Sequence, residues 1–188
     1  MSGPVAETSV RACDEVESLC REILERYEEV NLLYRLADSL AGVFSAKEIC
    51  WRVLQEAAAI TRARSGCVFL ADAAGGGRII AAEAGETARR MAERVDLVGC
   101  ERATIIDGDS ADRESLLSAP MSSGGGMVGQ IVLEGRDEGA FTAGELKLVA
   151  AIGSLAGVFI ENGRLVRSMQ ESERVRRELE IAREIQQS

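Results

Sequence analysis

Histidine is missing altogether from this chain of 188 residues. With it go the commonest zinc ligand, the usual acid–base residue of hydrolases and any haem held through imidazole. No nucleophile–base–orienter set stands out in its place, so the chain is expected to be catalytically silent. Basic residues are outnumbered, 22 Lys and Arg against 31 Asp and Glu, and the net charge of -9 argues against a nucleic-acid partner. Aromatic residues are only 4% of the chain, so a core drawn from its 46% apolar residues must be built from Val, Ile, Leu and Ala. No apolar run is long enough to span a bilayer. The longest, Leu148 to Ile160, is interrupted by Gly153, Ser154 and Gly157, and reads as a buried core helix. No charged-then-apolar leader opens the chain, which leads us to expect a cytoplasmic protein without a membrane partner. The five cysteines (Cys13, Cys20, Cys50, Cys67, Cys100) form no Cys-x-x-Cys pair and read as reduced thiols serving as small hydrophobes.

What is present is helical at both ends. Residues 1–12 are expected to be disordered. A signalling helix over 13–42 follows, with Val16, Leu19, Ile23, Arg26, Val30, Leu33, Ala37 and Leu40 at alternating three- and four-residue steps. Only Arg26 breaks that apolar seam, which predicts a coiled coil with a second copy. The competing explanation is one amphipathic helix lying on its own domain. At the other end, Thr142 and Glu145 form a capping box, and Leu148, Ile152, Leu155 and Phe159 recur as a wide apolar stripe, with Val149, Ala156 and Ile160 beside them. Beyond Glu161 the stripe narrows to a looser seam of Leu165, Met169, Val175 and Leu179, broken around Ser172 to Arg174, while charge density rises. Such a helix pairs with its own copy or leads into another domain.

Between these ends the pattern predicts an α+β domain over 43–165, with 166–188 as a linker helix. Ser45 and Glu48 suggest a second capping box, opening a helix with Ile49, Val53, Leu54, Ala57 and Ile60 on one face and an end near Ala63 to Ser65. Strands are expected at Cys67–Ala71, Arg78–Ala82, Ala103–Ile106, Leu116–Met121 and Met127–Glu134, with a short polar helix over Thr87–Val95. Pro120 pushes its strand toward an edge or a bulge, and Gly129 marks a close approach by another segment. Adjacent hairpins make the sheet mostly antiparallel.

This order of elements resembles the GAF sensory domain, over roughly Tyr27 to Leu165. The resemblance is carried by Glu48–Leu54 running into Ala63–Asp72, by Ala103–Gly108, by Leu117–Met121 with Val128–Leu133, and by Phe141–Leu146 through Phe159–Leu165. It implies a GAF/PAS-like antiparallel sheet of five or six strands with flanking helices, a regulatory rather than catalytic role, and a small-molecule ligand or regulatory protein as partner. A second resemblance covers Arg177 to Ser188, which looks like the helix entering the catalytic domain of bacterial PPM-type serine phosphatases. That implies a phosphatase domain in cis, acting on an anti-anti-sigma phosphoprotein. An ordinary charged helix end is the bland alternative. A ligand-free dimerisation scaffold, or the sensor of a histidine kinase or diguanylate cyclase, are the alternative functions.

Candidate sites are few. The glycine runs Gly75–Gly77 and Gly124–Gly126 lie between strands and precede no Lys-Ser or Lys-Thr, so hairpin turns explain them better than phosphate loops. Asp107, Asp109 and Asp112, with Glu114 near, lack the glycine and terminal glutamate of a calcium loop. The resemblance places pocket-lining side chains on the first strand, where Cys67 and Phe69 would share a face by alternation. A thiol that only packs is the competing role for Cys67. No motif implies a metal or a cofactor, neither the cyclic-nucleotide signature nor the bilin Cys-His pair of GAF domains is present, and the ligand is unknown.

Overall fold

A computed structural model describes residues 4–71, 77–85, 91, 102–106, 108, 114–124, 126–136 and 139–186. The chain divides into two units, Met1–Ser39 and Leu40–Ser188. The first is helix α1 (Pro4–Leu40) short of its last residue. The helix starts inside the segment expected to be disordered, because Pro4 has its φ already fixed for a first helical turn and lacks the N–H that would be orphaned there. Its seam residues Val16, Leu19, Ile23 and Val30 are each more than half exposed, and Leu33 is half-buried.

The second unit holds α2 (Ala46–Thr61), β1 (Ala63–Ala71), β2 (Arg78–Ala84), β3 (Thr104–Ile106), β4 (Leu116–Ser123), β5 (Gly126–Arg136) and α3 (Ala143–Gln186). The strands form one antiparallel sheet in the order β2-β1-β5-β4-β3. The expected short helix over 87–95, Met91 apart, the first glycine turn at 72–76 and the three aspartates 107, 109 and 112 lie outside the described residues.

Local chemistry explains most boundaries. Ser45 caps α2 by accepting from the Glu48 N–H at 3.4 Å. The reciprocal half of the expected capping box is absent, since the Glu48 carboxylate takes Arg52 instead, at 2.6 Å. The helix ends at Thr61, earlier than the sequence suggests, because Arg62 adopts a left-handed conformation (φ 52°) usually reserved for glycine. That early stop lets β1 begin at Ala63. At α3 the capping box is complete: the Thr142 N–H donates to Glu145 Oε2 at 2.7 Å and the Glu145 N–H to Thr142 Oγ1 at 3.2 Å. Glu145 also pairs with Arg136 at 3.2 Å, tying the start of α3 to the end of β5.

One face of the sheet is covered by α2 and α3. Ile49, Val53, Leu54 and Ala57 from α2 and Val149, Ile152, Ala156 and Ile160 from α3 are all buried. All four of the buried α3 residues belong to the expected wide stripe, while Leu148, Leu155 and Phe159 lie at its edge and are half-buried. Gly153 and Gly157 explain why the stripe is centred on that side. A Cβ on Gly153 would stand 2.6 Å from the Pro120 carbonyl oxygen, and one on Gly157 would stand 2.7 Å from the Ser122 N, so the helix backbone lies directly against β4. Pro120 itself lies beyond the reach of β3, which pairs only with Leu116–Ser118, and a register irregularity follows at Met121/Ser122. By length and composition α3 is apolar enough to cross a membrane, although its sheet-facing side belongs to this core.

Candidate functional site

The sheet face turned away from α2 and α3 carries the sequence-predicted pair. Alternation along β1 places Cys67 and Phe69 there, and the antiparallel register brings Val132 opposite Cys67 and Gln130 opposite Phe69. On β4 the same face presents Leu116, Ser118 and Pro120. Cys67, Phe69, Leu116 and Val132 form a buried cluster with Met91, and Ile106 packs against its side. The Cys67 thiol donates to Met91 Sδ at 3.5 Å, so a side chain from outside the sheet already sits over the centre of the pair.

Burial pushes the Cys67 thiol up to about 12, with the Glu83 and Glu134 carboxylates adding to the effect. A thiol held protonated in this way packs or donates weakly; it is not poised as a nucleophile or metal ligand. Cys50, on the buried side of α2, is raised to about 12 by burial as well. Among the described residues no group of three or more Cys, Asp or Glu is placed to hold a metal ion.

Beside the apolar cluster lies a polar chain that the sequence reading missed. Gln130, fully buried, donates from Nε2 to Ser118 Oγ at 2.5 Å, and its Oε1 accepts from Arg78 at 3.3 Å. Glu134 is buried two steps further along β5, its alternate positions facing the same way. The signal for these residues was a single Gln inside the otherwise apolar run Met127–Leu133. A buried amide needs partners, and the partners here sit on two other strands. The face therefore combines a sulfur- and aromatic-lined patch with a row of hydrogen-bonding groups, a mixture suited to a small, partly polar molecule.

A concavity of about 440 Å³ opens on the helix side, where α3 passes the end of β1 and the β4–β5 hairpin. It contains neither Cys67 nor Phe69. Its two guanidinium groups are occupied, Arg164 with Glu161 at 3.3 Å and Arg167 with the Phe44 carbonyl at 2.7 Å. The predicted pairing residues of the exit segment, Leu165, Met169, Val175 and Leu179, all project to solvent from α3.

A five-stranded antiparallel sheet backed by two helices, with a mixed polar and apolar opposite face, defines a two-layer α+β module. The GAF domain family profile matches residues 45–160, and the chain belongs to that family. The fold is similar to the GAF domain of a protein described as a sensor histidine kinase from Pseudomonas syringae pv. tomato, with a TM-score of 0.65, 17% identity, and coverage of 82% of this chain and 99% of that one. It is also similar to the GAF domain of an Acinetobacter phosphoenolpyruvate-protein phosphotransferase, with a TM-score of 0.61, 13% identity, and coverage of 74% and 96%. A GAF domain/HD domain protein from Geobacter sulfurreducens aligns with a TM-score of 0.54 and 14% identity, covering 67% and 98%. No curated protein matches the chain by sequence. GAF domains are regulatory modules, and the likenesses at these identities are likenesses of fold.

Proposed function

We propose that this chain is the sensory module of a signalling protein, in which a small molecule or regulatory protein engages the sheet face around Cys67, Phe69 and Gln130, and α3 carries the response to an output domain. The observation that carries the reading is the continuity of α3. One helix of 44 residues packs Gly153 and Gly157 against β4 and then runs on as an exposed, charged extension. A shift of β4 therefore moves the extension without passing through a hinge. The finer reading makes the output a PPM-type serine phosphatase in cis, and it rests on the resemblance of Arg177 to Ser188 to the helix entering that domain. The relatives named above belong instead to kinase, phosphotransferase and HD proteins, which agrees with a signalling role and leaves the kind of output to experiment.

The packed contact between Cys67 and Met91 favours a second reading, a scaffold whose sheet face is filled by its own side chains. Thermal melting against a panel of nucleotides, amino acids and small carboxylates separates the two, because a ligand that prefers the folded state raises its melting temperature. A sensor should be stabilised by at least one compound, with the effect reduced in Cys67→Leu. Equal stabilisation of wild type and Cys67→Leu would remove Cys67 from the site, and no stabilisation by any compound would favour the scaffold.

A further inference from the structure

The concavity on the helix side has no part in the reading of the sheet face. At about 440 Å³ it falls within the range of about 300–1,000 Å³ that ligand pockets occupy. Its wall is apolar where Leu70 ends β1, where Met127 and Val128 begin β5, and at Ile160 of α3. Ile160 is buried, Leu70 and Val128 are half-buried and Met127 is 39% exposed, so much of this wall still has apolar surface to cover. Its charged lining comes from α3, as Glu161, Arg164 and Arg167.

The two arginines differ in what holds them. Arg164 is paired with the Glu161 carboxylate at 3.3 Å. Arg167 is held by backbone carbonyls instead: Nε donates to the Gly163 oxygen at 3.4 Å and Nη2 to the Phe44 oxygen at 2.7 Å. Those bonds fix the guanidinium without neutralising it. Among the described residues no carboxylate forms an ion pair with Arg167, on a chain whose net charge is -9. The seat is built from close backbone packing. Gly163 is buried, and a Cβ there would stand 2.9 Å from the Phe44 oxygen, so the loop ahead of α2 lies directly on α3. The remaining N–H groups of the guanidinium are left for an anion.

We propose that this concavity binds a small monocarboxylate with an apolar body, its carboxylate on Arg167 and its body against Leu70, Met127 and Ile160. A planar carboxylate matches the fork of a guanidinium, and a bond between two charged groups is stronger than one between neutral ones. Glu161 lines the same space and selects for a single negative charge, since a second one would be repelled by its carboxylate. The site lies across the sheet from Cys67 and Phe69 and does not rest on the reading of that face. An occupant would bridge β1, the β4–β5 hairpin and α3 at the point where the helix leaves the domain.

Sodium octanoate is the probe, titrated into the full chain by calorimetry and followed by NMR of the methionine methyl groups. Saturable binding is expected, with the Met127 methyl resonance moving and that of Met91, in the sheet-face cluster, staying in place. Octan-1-ol keeps the apolar body without the charge, and acetate keeps the charge without the body; each should bind weaker by about tenfold or more. Arg167→Gln should weaken octanoate binding about tenfold through loss of a charge-assisted contact. Arg174→Gln, on the exposed extension, should bind as wild type does. Glu161→Gln removes the competing carboxylate, frees Arg164 and should tighten binding, a gain that no folding defect would mimic. The proposal is overturned by any of the following: no saturable uptake of octanoate, octan-1-ol or acetate binding as well as octanoate, or a Glu161→Gln variant that binds no tighter. An Arg167→Gln variant that binds like wild type, or an equal loss in Arg174→Gln, would overturn it too. So would octanoate that moves Met91 and leaves Met127 in place, because it would then be bound on the sheet face.

Discussion

Replacing Gly157 with alanine sets two well-understood effects against each other. Alanine is the better helix former, by about 1 kcal/mol in a helix interior. Propensity alone therefore predicts that Gly157→Ala stabilises α3. The packing predicts the opposite. The new Cβ would stand 2.7 Å from both the Ser122 N and its carbonyl carbon, and these are backbone atoms in a strand hydrogen-bonded to β5. No flexible side chain is there to move aside, so α3 must lift from the sheet, and overpacking of this kind costs roughly 1–3 kcal/mol. The net effect should be a loss of about 1 kcal/mol, or a melting temperature lower by about 2–4 °C for a chain of this size. Gly144→Ala is the control. It lies in the first turn of the same helix, and its nearest neighbour would be Thr142 Oγ1 at 3.9 Å. There propensity acts alone and should stabilise by up to about 1 kcal/mol. Urea denaturation followed by circular dichroism reads both variants, with unchanged slopes confirming that only stability has moved. A Gly157→Ala protein as stable as wild type, or more so, would refute the close approach of α3 to β4.

Three further outcomes follow from the same structure. At pH 8 the exposed Cys20 should alkylate readily in the native protein while Cys50 and Cys67 react only after unfolding, as peptide mapping would show. Those two thiols, raised from 9.0 to about 12 in the fold, stay protonated in both states at neutral pH; as pH climbs from about 9 toward 12 the unfolded chain ionises first, so stability should decline over that window and a flat profile would contradict the burial. Thr142→Ala should cost about 1 kcal/mol, because it removes the hydroxyl that accepts from the Glu145 N–H; a loss well below that, measured by thermal unfolding, would mean the Glu145 carboxylate caps α3 by itself.

The α+β architecture was legible in the sequence because its signals are local. Alternation at Cys67–Phe69, the paired Thr142 and Glu145, and Pro120 near the end of its strand each act within a few residues. The readings that shifted depended on contacts between distant segments. Arg62 closes α2 in a conformation that its side chain does not advertise, so the sequence pattern predicts a longer helix than the one that forms. The wide apolar stripe of α3 contains the residues that are buried, Val149, Ile152, Ala156 and Ile160, but its pattern does not show that the sheet is approached most closely through Gly153 and Gly157. Size marks the apolar residues of a helix, but the point of nearest approach is marked by the absence of a side chain. Gln130 escaped notice for a related reason. Its meaning lies in Ser118 and Arg78, which are 12 and 52 residues away along the chain.

An unbroken helix of this length also sets a rule for how its two ends can vary. Each residue added to α3 turns everything beyond it by about 100° and advances it by about 1.5 Å. An insertion of one residue after Leu165 would leave the domain untouched and swing Leu179 to another side of the helix. An insertion of seven would return it close to its original bearing. The spacing between the sheet and whatever the helix reaches therefore behaves like a gear with few permitted settings, in which length is exchanged only in near-whole turns and the direction faced by the far end is inherited from Gly153 and Gly157.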